Sequence, residues 1–490
     1  MTIGRQDEVV AFLSSAASYV LPGALVERIE THCSIVFVVD DRAYKMKRAV
    51  AFSALDYSTL ERREAVCRAE LALNRRTAPE LYLGVRAIRR TPRGELAFAD
   101  SGPVVDWVVV MRRFDQADLF DRLAETRHLT PELIRALANE IAAFHEAAEC
   151  TPAFGGAAGL CDAIERNRCD QLTVESVLGH AGIEALHAAS LNALAHVAEG
   201  LDRRRNAGKV RRCHGDLRLA NICLFDGRPT LFDAVEFADP ISCIDVLFDL
   251  AFVLMDLYQR GFGVLANILL NRYLDATAND DGLAALPLML SICAATRAYS
   301  LASGAQRRAR QRNSEYYATT ARSHLALASA LLGHAAPRLI AVGGVQGSAK
   351  TALTHGLAAA FQPVPGARVL QANVALRSVL RLPLQTRLPA TADESSTDAA
   401  YDQLCGKAAQ VLDAGFTAVV DASFVRAAHR RAIGAVASAA GVPFVGLWLG
   451  PFQDLQAGGA VNGDAWHGLQ TGTAPASMFA TARMLALGAV

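Results

Sequence analysis

Several absences narrow the classes of partner that this chain can have. Its 49 basic and 49 acidic residues cancel, so no net field favours nucleic acid or an anionic membrane as a partner. Its ten cysteines form no C-x-x-C pair and show no zinc-type spacing with histidine, which favours buried, reduced thiols in a cytoplasmic protein. The first residues, M-T-I-G-R-Q-D-E, lack the apolar core of a secretory signal. We therefore expect a cytoplasmic protein with neither nucleic acid nor membrane as its partner.

Long apolar runs, internal repeats and low-complexity tracts are also absent from the sequence. The most apolar run, 246–257, contains Asp249 and Asp256 and is too short to span a bilayer, so it predicts a buried helix. Hydrophobic residues make up 52% of the chain and charged residues 20%, which is typical of globular proteins. A chain of 490 residues exceeds what one ordinary core holds, so several domains are expected.

One short stretch of the chain carries an ordered set of polar residues. Asp216 follows His214 by two positions, Asn221 comes five residues after the aspartate, and Asp233 comes twelve residues after the asparagine. Residues 226–227, Asp-Gly, separate two short β-prone runs, which predicts a hairpin with a tight turn. A hairpin brings its two ends together, so we expect these polar side chains to converge.

This order of residues matches the phosphoryl-transfer signature of kinases. In that signature one carboxylate accepts or orients the proton of the attacking hydroxyl, while an amide oxygen and a second carboxylate hold Mg²⁺ on the nucleotide phosphates. The catalytic candidates are therefore Asp216 and His214. The candidate metal ligands are Asn221 and Asp233. Each residue alone is more typical of a capped surface turn, and only the ordered set favours catalysis.

The first third of the chain predicts a β-rich lobe with a cationic strand. A strand is predicted at 42–50, and Lys45 and Lys47 share one of its faces. Lys45, two residues after a small alanine, fits the strand lysine that holds the α and β phosphates of ATP, while Lys47 stays open as the alternative. A capping box at 58–61 predicts a helix, on which Glu70 is the candidate partner of the lysine. The helix is expected to bury an apolar face formed by Val66, Ala69 and Leu73.

The junction between this lobe and the helical region after it is the expected hinge. Met111 and Arg112 end the last predicted strand of the lobe, and we expect their backbone groups to bind the adenine edge. From residue 130 onward the apolar spacing has a period of 3.6 residues, which predicts helices. Asp249, on a later helix, has two interpretations. It either accepts hydrogen bonds from the N–H groups of residues 214–216 or is a helix-end carboxylate near solvent.

These motifs together resemble those of the aminoglycoside phosphotransferase-like kinases, a family that includes choline, homoserine and fructosamine kinases. The resemblance rests on H-G-D at 214–216, on Asn221 and Asp233, and on D-L-A at 249–251. The longer phrases A-Y-K-M-K-R-A-V and L-F-D-A-V-E-F resemble one subgroup, whose members join such a kinase domain to a C-terminal P-loop ATPase-like domain. The resemblance covers nearly the whole chain.

The resemblance implies a fold and a set of roles. It implies an α+β, two-lobed protein-kinase-like domain, with lobes at 1–114 and 115–333, followed by an α/β P-loop nucleoside-triphosphatase-like domain at 334–490. It also implies ATP and Mg²⁺ as cofactors, Asp216 as the catalytic base and a hydroxyl of a small molecule as the acceptor. Arg218 departs from the family, which often carries histidine at that position, and it leaves the contacts to the acceptor open.

The C-terminal region carries a phosphate-binding loop between a predicted strand and a predicted helix. The strand at 339–342 is followed by G-G-V-Q-G-S-A-K-T, and the region resembles small P-loop kinases. Asp421, at the end of a second buried strand, is the candidate metal ligand of this region. The candidate phosphate ligands are Gly344, Gly347, Lys350 and Thr351.

Three features predict that this domain is degenerate. Ala349 replaces the last glycine of the loop, where a Cβ crowds the phosphate. No lysine or arginine occurs between Arg431 and Arg483, although a P-loop kinase needs cations to stabilise the transferring phosphoryl group. Residues 371–373, Gln-Ala-Asn, offer no charged group after the second strand. We expect a domain that keeps its fold, binds nucleotide weakly and transfers no phosphate.

Two functional hypotheses of different classes follow. The first is an ATP- and Mg²⁺-dependent kinase that phosphorylates a hydroxyl of a small molecule. The alternative is a catalytically silent regulatory or scaffold protein whose two nucleotide folds act as sensors. The complete set of Lys45, Asp216, Asn221 and Asp233 favours the enzyme. A protein kinase is disfavoured, because no activation-loop segment separates Asp233 from the helix of Asp249.

Overall fold

A computed structural model of the chain describes residues 6–21, 23–31, 33–52, 55–307, 314–344, 350–389, 393–451, 465–469 and 475–488. The chain divides into two compact units, each assembled from several segments. The first unit consists of Met1–Leu129, Ala143–Phe154 and Val210–Asp249. The second consists of Thr130–Ala142, Gly155–Lys209 and Leu250–Val490.

The strands in the described part of the chain form three groups, at 26–112, 210–245 and 339–469. They are β1 Val26–Glu30, β2 Ser34–Val39, β3 Arg42–Lys47, β4 Ala51–Phe52, β5 Leu55–Asp56, β6 Tyr82–Arg90, β7 Leu96–Ala97, β8 Val104–Arg112, β9 Val210–Arg212, β10 Ile222–Phe225, β11 Arg228–Leu231, β12 Cys243–Asp245, β13 Leu339–Gly344, β14 Arg368–Gln371, β15 Ala418–Asp421, β16 Phe444–Leu449 and β17 Trp466–Leu469.

Helices dominate the middle of the described chain. They are α1 Asp7–Leu13, α2 Leu60–Asn74, α3 Phe120–Glu125, α4 Pro131–Ala147, α5 Gly156–Leu172, α6 Glu175–Leu178, α7 His180–Asn206, α8 Asp239–Ser242, α9 Val246–Gln259, α10 Gly263–Thr277, α11 Leu286–Arg307, α12 Ser314–Leu331, α13 Lys350–Ala358, α14 Ala372–Val379, α15 Glu394–Asp413, α16 Ala427–Ala439 and α17 Pro475–Leu487.

The first unit is organised around an antiparallel sheet with the strand order β1-β2-β3-β8-β6-β7. Successive residues of a strand point to opposite faces, so each face of the sheet has its own core. Phe37 and Met46 pack with α1 on one face. Val109 and Met111 pack with Cys67 of α2 on the other. Because both faces are covered, the side chains that alternate along β3 are enclosed on either side.

The predicted hairpin is present in the first unit as β10 and β11. The two strands pair antiparallel from Ile222 opposite Leu231 to Phe225 opposite Arg228. The connecting Asp-Gly pair at 226–227 has positive φ at both residues, 48° and 77°, as a type I′ turn requires. The local sequence thus fixes both the turn and the pairing register of this hairpin.

Helix α2 buries a different face from the one predicted. Its buried residues are Arg63, Cys67, Glu70 and Asn74, which recur every three to four positions and so form one stripe. The predicted apolar face is only half-buried at Val66, Ala69 and Leu73, so that prediction is wrong. The reason lies in the polar partners of the stripe. For example, Nε of Arg63 donates to Asp106 over 2.8 Å, and a buried polar group with a partner carries little penalty.

The second unit combines packed helices with a parallel sheet. Helices α11 and α12 lie against each other, as do α5 and α7. The sheet has five described strands in the order β14-β15-β13-β16-β17, and all of its pairings are parallel. Ile340 of β13, Leu353 and Leu357 of α13 and Ala482 of α17 share its core. A parallel sheet covered by helices is typical of α/β nucleotide-binding domains.

Helix α10 covers the edge strand of this parallel sheet. Oδ1 of Asn271 accepts the N–H of Val369 over 2.7 Å, and Nδ2 of Asn267 donates to the carbonyl of Ala367 over 2.9 Å. Both asparagines are buried. Their side chains therefore occupy backbone groups that an edge strand would otherwise expose.

A buried ion network lies beside these asparagines. The guanidinium of Arg368, which is 1% exposed, lies 2.8 Å from Asp275 and 2.6 Å from Asp280. Burial raises the pKa of Asp275 even though Arg368 opposes the shift. For Asp280 the charge of Arg368 overcomes burial, and the pKa is lowered. The edge strand is thus joined to α10 and to the residues just after it by charge as well as by hydrogen bonds.

One stretch of the described chain, Asp280–Arg307, is long and apolar enough to cross a membrane by length and composition. It has 28 residues, and 72% of its most apolar window is buried inside the structure. Burial of that extent is also what a core helix shows, and α11 is buried along most of its length.

Candidate active site

Two lysines on β3 share one glutamate on α2. Lys45 and Lys47 alternate with Tyr44 and Met46 along the strand, so both lysines lie on the face that α2 covers. Nζ of Lys45 lies 2.7 Å from Oε1 of Glu70, and Nζ of Lys47 lies 2.6 Å from its Oε2. The first contact is an aligned hydrogen bond, whereas the second is an ionic contact without that alignment. Glu70 is fully buried, and the two lysines offset the free-energy cost of burying its charge.

The same two lysines contact carboxylates on the segment after the hairpin. Lys45 forms an ion pair with Asp233, and Nζ of Lys47 lies 2.5 Å from Oε1 of Glu236. The hydroxyl of Tyr57 donates to the same oxygen of Glu236 over 2.9 Å. The side chain of Asp233 is 43% exposed, whereas that of Glu236 is 5% exposed. The Lys45–Asp233 pair is therefore the one that a nucleotide and its metal ion can reach.

Burial and opposite charge shift the pKa values of these lysines and carboxylates in opposite directions. Burial alone would raise the pKa of Asp233, but the charge of Lys45 and its hydrogen bond lower that pKa from 3.8 to about 2. The same balance lowers the pKa of Glu70. Burial would lower the pKa of Lys45, yet Asp233 and Glu70 raise it well above its ordinary value. All of these groups are therefore charged at neutral pH.

The backbone around Asp233 is held in an unusual conformation by side chains of the first unit. Asp233 has a φ of 62°, a left-handed value that costs free energy in a residue with a Cβ. Its N–H donates to the hydroxyl of Tyr82 over 3.1 Å, and the next N–H, of Ala234, donates to Oδ1 of Asn74 over 2.9 Å. Tyr82 and Asn74 are both fully buried. These two bonds direct the carboxylate of Asp233 toward Lys45.

His214 joins the loop of Asp216 to the segment of Asp233. It is fully buried, and its Nε2 donates to the carbonyl of Phe232 over 2.8 Å. Its own carbonyl accepts the N–H of Val235 over 2.9 Å, and its Nδ1 accepts the N–H of Asp216 over 3.4 Å. A ring with both nitrogens bound to the backbone cannot touch a substrate. His214 is a positioning residue, which corrects its prediction as a catalytic one.

Asp249 binds backbone N–H groups of the same loop. This is the first of the two interpretations that the sequence allowed. Its carboxylate accepts the N–H of His214 over 3.0 Å and that of Gly215 over 2.8 Å, and it lies 3.1 Å from Nε2 of His145. These bonds outweigh burial and lower its pKa. The ligand atoms of His145, Cys213 and Asp249 lie within 4.8 Å of one another, but the backbone already occupies both oxygens of the aspartate. We therefore assign this group to structure rather than to a metal.

Gly215 cannot be replaced by a residue with a side chain without strain. Its φ is 83°, and an added Cβ would lie 3.1 Å from the carbonyl oxygen of Ile241 and 3.2 Å from Cβ of Val235. Only glycine adopts such a φ at little cost. The glycine between the histidine and the aspartate is therefore required by the loop's geometry, and it lets Asp249 reach two successive N–H groups.

Asp216 is held by two side chains from its own loop. Nε and Nη2 of Arg218 donate to its two carboxylate oxygens over 2.7 and 2.9 Å. Nδ2 of Asn221 donates to Oδ2 over 3.0 Å and to the backbone carbonyl of Asp216 over 2.8 Å. The carboxylate is 33% exposed. It is thus accessible to a small molecule, in a fixed orientation.

The oxygens of Asn221 and Asp233 fit a magnesium ion in their chemistry. The amide nitrogen of Asn221 donates to Asp216, so its oxygen is the atom that can bind a cation. Asp233 is ionised and partly exposed. Carboxylate and amide oxygens are the hard ligands that Mg²⁺ prefers, usually with phosphate oxygens and water completing the shell.

The sheet already uses a backbone donor that was predicted to read adenine. The N–H of Arg112 donates to the carbonyl of Leu81 over 2.8 Å, and Met111 lies within the ladder between β3 and β6. The N–H of Arg113 is also used, by a carbonyl in the turn before β3. The N–H of Arg112 is therefore not available to adenine, and that part of the prediction is corrected.

The second unit places most of the predicted P-loop residues together. Oγ1 of Thr351 donates to Oδ2 of Asp421 over 3.0 Å, and Nζ of Lys350 donates to the carbonyl of Gly344 over 2.8 Å. Burial raises the pKa of Asp421 and lowers that of Lys350. Gly347, like Ala349, lies outside the described residues. A threonine beside a carboxylate at the carboxyl ends of parallel strands is where a P-loop protein binds its metal ion.

Four site residues were missed by the sequence reasoning, namely Tyr57, Asn74, Tyr82 and Glu236. Two of them had a signal that could have found them. Asn74 lies four positions after Glu70, on the same face of α2. Glu236 lies three positions after Asp233, within the phrase L-F-D-A-V-E-F. The two tyrosines had no such signal, because only the fold brings them to the segment after the hairpin.

An antiparallel sheet with a buried lysine–glutamate pair, joined to a loop and hairpin that carry Asp216, Asn221 and Asp233, defines a kinase-like phosphotransferase. Residues 57–286 match the family model described as the phosphotransferase enzyme family, and residues 339–456 match the model described as an AAA domain. The first of these matches is the one that covers Asp216, Asn221 and Asp233 of the candidate active site. The predicted fold class, a kinase-like domain followed by a P-loop domain, is confirmed.

The chain is also similar to several individual proteins. Uncharacterized proteins of Mycobacterium bovis and Mycobacterium tuberculosis are each 28% identical over 419 residues, which cover 82% of this chain and 80% of theirs. A choline/ethanolamine kinase family protein from Mesorhizobium loti is 17% identical, with a TM-score of 0.40 over 66% of this chain and 94% of that one. A thermostable mutant of the aminoglycoside phosphotransferase APH(4)-Ia is 14% identical, with a TM-score of 0.41 over 66% of this chain and 97% of that one.

Proposed function

We propose that this protein is an ATP- and Mg²⁺-dependent phosphotransferase that acts on a hydroxyl group of a small molecule. The observation that carries the proposal is the link made by His214. It binds the carbonyl of Phe232 on one side and the loop of Asp216 on the other. A candidate base and a candidate metal ligand are thereby held in one rigid arrangement. Positioning of this kind supplies most of the catalysis in phosphoryl transfer.

In the proposed reaction Asp216 accepts the proton of the acceptor hydroxyl. The hydroxyl oxygen forms a bond to the γ-phosphorus, and the bond from that phosphorus to the β,γ-bridging oxygen breaks, so that ADP leaves. Asn221 and Asp233 would hold Mg²⁺, which neutralises charge on the phosphates when bound. Lys45, oriented by Glu70, would contact the α and β phosphates. Lys47, enclosed with Glu236, would keep Glu70 in place.

The proposal is tested by ATP consumption with a panel of sugars, amino sugars and amino alcohols. Asp216→Asn removes the proton acceptor, and we expect turnover to fall by about 10²- to 10⁴-fold. Asp226→Asn is the matched control, because Asp226 is an exposed residue in the turn of the same hairpin. If ATP binds but neither an acceptor nor an Asp216-dependent hydrolysis is found, the alternative of a nucleotide sensor replaces the enzyme.

We further propose that the C-terminal P-loop domain binds nucleotide without transferring phosphate. The absence of lysine and arginine between Arg431 and Arg483 supports this proposal, because no cation from that segment can reach a transferring phosphoryl group. Lys350→Met in the full chain should leave Mg²⁺-dependent ATP turnover unchanged. Turnover that survives Asp216→Asn and disappears in Lys350→Met would show instead that this domain is the active one.

The acceptor is proposed to be the only specific partner class of the enzyme. A formal net charge of zero supports a small molecule rather than nucleic acid or a membrane surface, and a cytoplasmic location is part of the proposal. A filter-binding assay with duplex and single-stranded nucleic acid at low salt checks it, and saturable binding would contradict it.

A further inference from the structure

Arg218 occupies both oxygens of the candidate base. Its Nε donates to Oδ1 of Asp216 over 2.7 Å and its Nη2 donates to Oδ2 over 2.9 Å, in the two-pronged geometry that guanidinium forms with carboxylate. The backbone of Arg218 is extended, with φ of −110° and ψ of 162°. Its N–H donates to the carbonyl of Asp216 over 2.9 Å. This local turn folds the side chain back onto a residue only two positions earlier.

This pair interferes with the proposed reaction. Both oxygens of the carboxylate accept hydrogen bonds from the guanidinium, in the positions that an incoming hydroxyl group would need. Asn221 adds a third donor to Oδ2 over 3.0 Å. An acceptor hydroxyl that approaches Asp216 therefore meets oxygens that are already occupied. For the hydroxyl to bind Asp216, Arg218 has to move when the acceptor arrives.

The exposure of the pair favours movement. The side chain of Arg218 is 22% exposed and that of Asp216 is 33% exposed. An ion pair in contact with water stabilises a protein only weakly. A competing anion on the acceptor can therefore displace the carboxylate at little cost. By contrast, Lys47 and Glu236 are enclosed and cannot be displaced in this way.

The charge of Arg218 also selects among acceptors. Near a protein surface, like charges in contact repel each other and unlike charges attract each other. A protonated amine beside the reacting hydroxyl would be repelled by the guanidinium. A carboxylate or phosphate at the same place would be attracted to it.

We propose that Arg218 is an acceptor-sensing gate on Asp216, and that the acceptor is a hydroxyl compound that carries a carboxylate or a phosphate group. The anionic group draws the guanidinium away from Asp216. The freed carboxylate then takes the proton of the hydroxyl as its oxygen attacks the γ-phosphorus and ADP leaves. Without an acceptor the gate stays closed, and hydrolysis of ATP by water is suppressed. This inference rests on the proposed function and names its substrate class.

The closed gate is tested by ATP hydrolysis in the full chain without any acceptor. Arg218→Ala frees Oδ1 of Asp216 and leaves Oδ2 bound to Asn221 alone, and we expect hydrolysis to rise about tenfold and to be lost again when Asp216→Asn is added. Arg212→Ala is the matched control, because Arg212 is 24% exposed, on the strand before the same loop, and is paired with Glu149 and Asp239. It should leave hydrolysis unchanged. Hydrolysis that stays constant or falls in Arg218→Ala overturns the gate.

The acceptor class is tested by calorimetric binding with Mg²⁺ and a non-hydrolysable ATP analogue. The probes are gluconate, glucose 6-phosphate, glucose and an aminoglycoside. We expect gluconate or glucose 6-phosphate to bind best, with a loss of at least about tenfold in Arg218→Ala and Arg218→His and a partial rescue in Arg218→Lys. The better of the two identifies a carboxylate or a phosphate as the recognised group.

The outcomes distinguish failure of the Arg218 gate from failure of the proposed phosphotransferase function. Equal binding of the anionic probes to wild type and Arg218→Ala, no binding of either to wild type, or tightest binding of the aminoglycoside overturns the gate. In each of those cases the proposed function stands if the ATP analogue binds and hydrolysis depends on Asp216. Loss of nucleotide binding in the wild type would reject the proposed function itself.

Discussion

Nζ of Lys47 lies 2.6 Å from Oε2 of Glu70, on the carboxylate whose other oxygen binds Lys45. Lys47 therefore holds the glutamate, and the glutamate orients Lys45, whose other partner, Asp233, is partly exposed. This arrangement gives the two lysines different tasks although they share one face of one strand. Lys45 is the one placed to exchange Asp233 for a nucleotide, whereas Lys47 is bound to Glu236 in the interior.

The first prediction separates these two tasks by substitution. Lys45→Met should lower kcat/KM for ATP by about 10²-fold or more, since it removes a cation from the phosphates. Lys47→Met should instead cost about 3–5 kcal/mol of stability, because Glu236 and one side of Glu70 stay buried without their partner. Arg48→Met is the control, since Arg48 is 38% exposed and pairs at the surface with Glu30. Enzyme assays and urea unfolding distinguish the two effects, and equal stability of the Lys47 and Arg48 variants would contradict the assignment.

The second prediction concerns acid stability. The pKa of Asp233 is lowered from 3.8 to about 2 by Lys45, so this carboxylate stabilises the folded chain above about pH 4. That stabilisation is lost as the pH falls toward 2, because the unfolded chain binds the proton first. In Lys45→Met the cause of the low pKa is absent, so stability should fall less steeply between pH 4 and pH 2. Urea midpoints measured across that range should diverge from those of the wild type, and parallel curves would refute the explanation.

The third prediction concerns the support of the loop by Asp249. Asp249→Asn keeps one acceptor but turns an N–H₂ group toward a second donor, which costs about 1–3 kcal/mol. We expect kcat to fall while affinity for ATP is retained, because Lys45 and Glu70 are unaffected. Asp256→Asn, on the same helix but in a partly exposed pair with Arg260, should cost at most about 1 kcal/mol. Retention of full kcat in Asp249→Asn would show that the loop needs no such anchor.

The fourth prediction concerns the ion network beside the parallel sheet. Arg368→Met leaves Asp275 without its cation and Asp280 with only the more distant Lys407, 3.7 Å away, and we expect a loss of about 3–5 kcal/mol in thermal and urea unfolding. Arg377→Met, on the neighbouring α14 and partly exposed, should have a small effect. Adding Asp275→Asn and Asp280→Asn to Arg368→Met should restore part of the stability, since no unpaired charge then stays buried. If the triple variant is no more stable than the single one, packing rather than charge holds this region.

Part of this site was predictable from the sequence because it depends on residues that are neighbours in the chain. The Asp-Gly pair at 226–227 specifies its turn through the φ values of two adjacent residues, so the hairpin and its register follow from neighbours in the chain. The spacing of Asp216, Asn221 and Asp233 around that hairpin then brings their segments together. The strand and loop at 339–344 were predictable for the same reason, since a short buried run and its glycines act locally.

Other features depended on partners far away in sequence. Val66, Ala69 and Leu73 were the best apolar face of α2 by pattern, yet the fold buries Arg63, Glu70 and Asn74 because the sheet and the segment after the hairpin supply their partners. His214 matched a catalytic signature and became a positioning residue once both of its ring nitrogens met backbone groups. The N–H of Arg112 was predicted to bind adenine, but the fold brings it to the carbonyl of Leu81, just before β6.

The sequence by itself determined the two folds, the order of the reactive residues and the turn that lets them meet, since each depends on residues close together in the chain. Only the tertiary structure decided that Lys45 pairs with Asp233 across 188 positions and that His145 joins Asp249 across 104. It also decided that Arg218 covers the candidate base. The physical reason is that the free energy of a buried charge or hydrogen bond depends on which partner reaches it, and folding rather than spacing selects the partner.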